Sequence, residues 1–172
     1  MKKGYTQVYT GDGKGKTTAA LGLALRAVGA GLKVFIGQFV KGLHSSELES
    51  LKRLQPEIEI ARYGRDRFIV GAPEREDIAL AQKGLAEIKE KLLSGKYDVI
   101  VADEINIAAR LKLITIDEIL SLIESKPEGV ELILTGRNAD ERVIEKADLV
   151  TEMRLIKHYY DAGVEAREGI ES

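Results

Sequence analysis

The chain has 172 residues, enough for one domain with a proper hydrophobic core. Its 26 basic and 28 acidic side chains leave a net charge of −2 with both signs interspersed, which argues against nucleic acid as a main partner. With no cysteine and only two histidines, disulfides, thiolate metal sites, cysteine nucleophiles and histidine metal centres are excluded.

The N-terminal Met1-Lys2-Lys3-Gly4-Tyr5 has no apolar stretch resembling a signal peptide, and no segment has the length of a membrane span. A cytoplasmic location without membrane contact is expected. A short β-type run at residues 7–9 leads into Thr10-Gly11-Asp12-Gly13-Lys14-Gly15-Lys16-Thr17-Thr18, and an alanine-rich helix follows over residues 16–30, ending at Gly29 and Gly31. Strand, glycine-rich loop and helix together make a phosphate cradle of the P-loop type. The loop is one residue short: three residues separate Gly11 from Gly15 where the standard pattern has four.

Backbone amides and the helix N-terminus are expected to hold phosphate oxygens, with Gly11, Gly13 and Gly15 permitting the close approach. Lys16 reaches the terminal phosphates, Lys14 adds a second cation, and the Thr17 hydroxyl holds magnesium. Asp12 and Thr18 complete the candidate nucleotide-binding set.

Further β-type runs lie at residues 33–39, 58–61, 99–102, 131–134 and 148–153. Between them the pattern predicts a short helix over residues 47–54 and a long one opened by Pro73 and ended by Gly95. The latter carries Ile78, Leu85, Ile88 and Leu92 on its apolar face. Another helix begins at Thr115 or Asp117 and closes near Pro127. Alternating strands and helices specify an α/β fold, a P-loop NTPase-like (RecA-like), mainly parallel sheet with helices on both faces. The polar stretch at residues 63–73 reads as a loop on the ligand side.

Val99-Ile100-Val101-Ala102-Asp103-Glu104 is an apolar strand ending in two acids, the Walker B pattern in which a strand-end carboxylate faces magnesium. Adjacent acids on an extended segment point in opposite directions, so Asp103 and Glu104 are both candidate metal groups with different roles. The alternative for Asp103 is a cap on a helix beginning near Asn106. Two other strand exits are polar: Gln38-Phe39-Val40-Lys41-Gly42, offering Gln38 and Lys41, and Leu134-Thr135-Gly136-Arg137-Asn138, offering Arg137 as a bidentate phosphate clamp.

With the loop, Arg26-Ala27-Val28-Gly29, both strand exits, Asp103-Glu104 and the tail Lys157-His158-Tyr159-Tyr160-Asp161-Ala162-Gly163-Val164 read together, nearly the whole chain resembles the ATP:corrinoid adenosyltransferases of the cobalamin pathway. The resemblance implies attack by the Co(I) of a corrinoid on the ribose 5′ carbon of MgATP, with triphosphate leaving. It also implies ATP reversed in the shortened loop, a homodimer whose partner subunit helps cover the corrin, and a flavoprotein-type reductant. Cobalt supplies the nucleophile, so the protein orients and excludes water.

In the family, aromatic residues displace the cobalt's axial ligand, a task that falls by position within residues 63–69. Relatives have a phenylalanine and a tryptophan there, whereas this chain lacks tryptophan and offers Phe68, with Tyr63 and Ile69 nearby. Lys16, Thr17 and Phe68 are thus the expected catalytic set, and His158 either touches substrate or is structural. Two other readings stay open: a P-loop small-molecule kinase or ATPase releasing ADP, and a non-enzymatic ATP-dependent switch.

Overall fold

The computed structural model describes residues 2–41, 45–67 and 69–171. Six strands form one sheet: β1 (Thr6–Thr10), β2 (Val34–Phe39), β3 (Ile58–Tyr63), β4 (Val99–Asp103), β5 (Glu131–Thr135) and β6 (Leu149–Glu152). Their order is β3-β2-β4-β5-β1-β6, and every neighbouring pair is parallel. Each expected strand is present.

The central strands are apolar throughout because both faces are covered, and successive residues feed opposite cores. Val34, Ile36, Val99, Val101 and Ile133 pack with Ala20, Ala24 and Ala27 of α1 (Lys16–Gly29). Those alanines let the helix lie close on the sheet. Phe35, Phe39, Ile100, Leu132 and Leu134 point the other way, toward Ile88 and Leu92 of α3 (Arg75–Leu93) and Ile119 and Leu122 of α5 (Ile116–Glu124). The start of α5 is fixed by a capping box between Thr115 and Glu118.

The remaining helices are short: α2 (Ser46–Lys52), α4 (Ile105–Arg110) and α6 (Glu141–Lys146). Of these, α6 went unforeseen, since six residues are too few to show a helical period. It starts where the Asp140 side chain accepts the Arg142 amide. Ile78 departs from its expected place on the apolar face of α3 and is 37% exposed. The packed stripe is Ala81, Leu85, Ile88 and Leu92, while the first turn is held by ion pairs from Arg65 to Glu74, Glu76 and Asp77.

In parallel sheets ligands bind beyond the carboxyl ends of the strands. Here β5 separates β1, which feeds the glycine-rich loop, from β4, which ends in Asp103. Since Tyr9 pairs with Thr135 and Ala102 with Leu134, Thr135 lies at the strand ends between the two halves of the site. Among the described residues no helix is long and apolar enough to cross a membrane.

Candidate nucleotide and metal site

The loop from Thr10 to Gly15 turns twice through left-handed backbone, at Gly11 (φ 94°) and Gly15 (φ 117°), and delivers the chain into α1. One of its amides has another use than phosphate binding. Gly13 N–H donates to the Met153 carbonyl at 2.6 Å, and Met153 N–H to the Thr10 carbonyl at 2.8 Å, so the loop lies along the segment leaving β6. A Cβ on Gly13 would stand 2.7 Å from that Met153 oxygen, which excludes any other residue without a shift of the backbone. Lys16 is buried, and its ammonium donates to the carbonyls of Gly11 and Gly13, both at 2.7 Å. Burial lowers its pKa.

Asp103 is the hub of the site at 1% exposure. Its Oδ1 accepts from Thr17 Oγ1 at 3.0 Å and Thr135 Oγ1 at 2.7 Å. Its Oδ2 accepts from Gln38 Nε2 at 3.0 Å and Lys41 Nζ at 2.7 Å. Four converging donors, one of them cationic, satisfy the buried carboxylate. Asp103 therefore caps no helix. Glu104 leaves the extended backbone expected for it: its φ is 60°, it occupies the N-cap position of α4, and its N–H donates to Thr135 Oγ1 at 2.9 Å. Burial, then the neighbouring Asp103 charge, raises the Glu104 pKa.

Gln38, expected to touch nucleotide, is fully buried behind Asp103 and holds that carboxylate. Lys14 also differs from expectation. Its ammonium is taken up by the chain's last residues, donating to Glu171 Oε1 at 2.8 Å, the Ile170 carbonyl at 2.9 Å and Tyr159 Oη at 3.1 Å. Arg137 is exposed, with its Nε 3.9 Å from Asp12. His158 accepts the Tyr160 amide on Nδ1, starting a short 3-10 turn over Tyr159–Ala162. Phe68 lies outside the described residues, as do Gly42 and His44.

Around these groups lies a cleft of about 1230 Å³. Asp12, Gly13, Lys14, Gly15, Lys16, Thr17, Thr18, Lys41, Glu104 and Arg137 all line it, and Tyr160 and Leu155 form part of the far wall. An ordinary small-molecule pocket holds about 300–1,000 Å³, so the space exceeds the needs of a nucleotide alone.

The family model described as ATP:corrinoid adenosyltransferase BtuR/CobO/CobP matches residues 2–172. The chain belongs to this family. Corrinoid adenosyltransferases of Pseudomonas aeruginosa and Escherichia coli K12 are 36% and 35% identical to it, each over 99% of this chain and over 84% and 86% of their own lengths. The corrinoid adenosyltransferase CobA of Salmonella typhimurium is 35% identical, over 99% of this chain and 86% of its own. Among solved structures, a KaiC-like protein from Pyrococcus horikoshii superposes with a TM-score of 0.58 at 22% identity, covering 91% of this chain and 75% of the other. That likeness supports the P-loop α/β fold alone.

The ATP:corrinoid adenosyltransferase fold thus gathers loop, Asp103, Lys41 and Arg137 on one sheet edge. Whether magnesium suits this edge can be judged from Thr17 Oγ1 and Asp103, whose oxygens already converge on a single cation, the Lys41 ammonium. Among the described residues no cluster of three or more His, Asp or Glu side chains could hold a metal. Two protein oxygens suit magnesium, which completes its shell with substrate phosphates and water. Three contacts were not foreseen: Thr135 holding Asp103, and Tyr159 and Glu171 holding Lys14. Thr135 and Tyr159 lie in segments already read from the sequence, the exit of β5 and the tail, whereas nothing local marked Glu171.

Proposed function

We propose that the protein transfers the 5′-deoxyadenosyl group of MgATP to the Co(I) of a corrinoid and releases triphosphate. The family match over residues 2–172 carries this reading. In the transfer, a cobalt electron pair forms the Co–C bond as the C5′–O bond breaks, and the leaving pair departs with triphosphate.

No protein nucleophile or base is required, and the cleft brings four cations, Lys14, Lys16, Lys41 and Arg137, to the substrate instead. Lys16, Lys14, Arg137 and the loop residues Gly11, Asp12, Gly15 and Thr18 act on the triphosphate, where negative charge builds as it leaves, while Gly13 ties the loop to the Met153 carbonyl. Thr17 and Asp103 hold magnesium with Glu104 beside them; when bound, the ion neutralises part of the leaving charge. Gln38 and Thr135 fix the Asp103 carboxylate. Phe68, named from the sequence alone, is the residue that displaces the axial ligand of the cobalt.

The chain acts as one cytoplasmic domain, reduced corrinoid being supplied by a flavoprotein-type reductant. A homodimer is supported by β6, an edge strand exposed along its length, with Leu149 45% and Val150 40% exposed beside Leu155 and Ile156. Light scattering that finds only monomer would remove that element.

The test of the activity is incubation with MgATP and a chemically reduced corrinoid. The cobalt spectrum and the phosphate product are both followed. Co–C bond formation with triphosphate release is expected. ADP as product, or no corrinoid-dependent change, would overturn the reading in favour of a kinase or ATPase.

A further inference from the structure

Lys41 occupies an unusual position for a phosphate-binding lysine. Its ammonium stands 2.7 Å from Asp103 Oδ2 and 2.9 Å from Thr17 Oγ1, bridging the two side chains that a P-loop protein uses to hold a divalent cation. Local backbone sends it there. Val40, immediately before it, has φ 50°, a left-handed conformation that a β-branched residue adopts only when its surroundings compel it. Val40 N–H donates to the Tyr63 carbonyl at 3.3 Å, and Gly64 is pressed so close that a Cβ on it would lie 2.7 Å from the Lys41 backbone nitrogen. The turn after β2 is thus wedged against the end of β3, and the lysine is directed back over the strand ends.

We propose that Lys41 is a tethered stand-in for the divalent cation. Its ammonium neutralises Asp103 in the nucleotide-free protein, yields the site to the metal that arrives with the polyphosphate, and takes phosphate oxygens as its next partners. The proposal rests on the reading that the substrate is MgATP. A buried carboxylate needs a nearby positive charge, and two cations cannot share one pair of oxygens. Metal alone must therefore displace a lysine that has nowhere equally favourable to go. Metal with a polyphosphate supplies that place, so the two bind with positive coupling, and coupling is reciprocal.

The test compares binding of Mn²⁺ without nucleotide to wild type, Lys41→Met and Lys41→Arg by electron paramagnetic resonance, then repeats it with inorganic triphosphate. Lys41→Met should bind Mn²⁺ alone on the order of tenfold tighter than wild type, a coupling of ordinary size, and should show a correspondingly smaller enhancement with triphosphate. Lys41→Arg keeps the charge and should stay weak. Equal or weaker Mn²⁺ binding by Lys41→Met overturns the proposal.

A wild-type measurement stands independently of how the variants fold. Reductive methylation of Lys41, read by mass spectrometry, should quicken when Mn²⁺ is added alone and slow again with triphosphate. A rate indifferent to Mn²⁺ also overturns it. Adenosyl transfer that proceeds while these metal effects are missing removes only the stand-in role; metal effects without adenosyl transfer remove only the proposed activity.

Discussion

Replacing Thr135 by valine isolates the contribution of the hydroxyl that links the two halves of the site. The side chain is fully buried and nearly matches valine in volume, so the change removes hydrogen bonds without opening a cavity. Two are lost: the one donated to Asp103 Oδ1 at 2.7 Å and the one accepted from Glu104 N–H at 2.9 Å. A buried bond to a charged group contributes about 1.5–3 kcal/mol, and an orphaned buried N–H costs about 1–3 kcal/mol. Asp103 keeps three other donors, so the lower ends apply and the sum is about 2.5 kcal/mol. For a chain of this length that lowers Tm by about 5–10 °C. Thr135→Ser, which keeps the oxygen and loses one methyl, should cost about 1 kcal/mol. Urea unfolding followed by circular dichroism measures both. Thr135→Val within about 0.5 kcal/mol of Thr135→Ser would refute the reasoning, because the oxygen would then contribute nothing.

Phe68→Ala should slow adenosylation that starts from Co(II) corrinoid with a reductant while sparing reaction with prereduced Co(I); equal loss in both assays removes its role in displacing the axial ligand. Glu171→Gln should tighten binding of ATP and of triphosphate by freeing Lys14, with the gain shrinking at high salt in calorimetric titrations; unchanged affinity at low salt would mean the tail does not compete. Glu59 accepts hydrogen bonds from Tyr97, Lys91 and Lys96, which lower its carboxyl pKa from 4.5 to about 2. The stabilisation is therefore present above pH 4.5 and lost as the pH falls through about 2. The side chain is 38% exposed, so screening reduces the effect to about 1 kcal/mol; Glu59→Gln should be that much less stable at pH 7, and denaturant midpoints for the two proteins should converge toward pH 2.

The sheet was readable from sequence because its strands are buried on both faces, and a run such as Val99-Ile100-Val101-Ala102 has no exposed position to dilute its apolar character. Helix limits were readable where chemistry marks them, as at Thr115 and Gly95. They were not at α6, whose six residues complete fewer than two turns. Within the site, Thr17 and Asp103 could be named because the loop and the apolar strand each carry a local pattern. That Thr135 and Gln38 would meet Asp103 could not be read, although both stood at polar strand exits. Thr135 meets it only because β5 is inserted between β1 and β4, and Gln38 because β2 borders β4 on the other side; both are facts of strand order rather than of spacing. The capture of Lys14 by Glu171, 157 positions away, was equally invisible to any local pattern.

Strand order also bears on how the site handles charge. The cations facing the cleft each have an internal acceptor: Lys16 the carbonyls of Gly11 and Gly13, Lys14 the Glu171 carboxylate, Lys41 Asp103, and Arg137 Asp12 at longer range. Binding a polyphosphate is then an exchange of partners, and the net affinity is the difference between two sets of strong contacts rather than the sum of one. A kinase releases ADP and retains few phosphate contacts to break. An enzyme whose leaving group is the whole triphosphate must let go of every charge it gathered. Cations with partners to return to make that release faster, and the prediction for Glu171 separates this account from a purely structural tail. If Lys14 returns to Glu171 as triphosphate leaves, Glu171→Gln slows product release and lowers kcat even as it improves ATP binding, whereas a tail that merely braces the fold would weaken both.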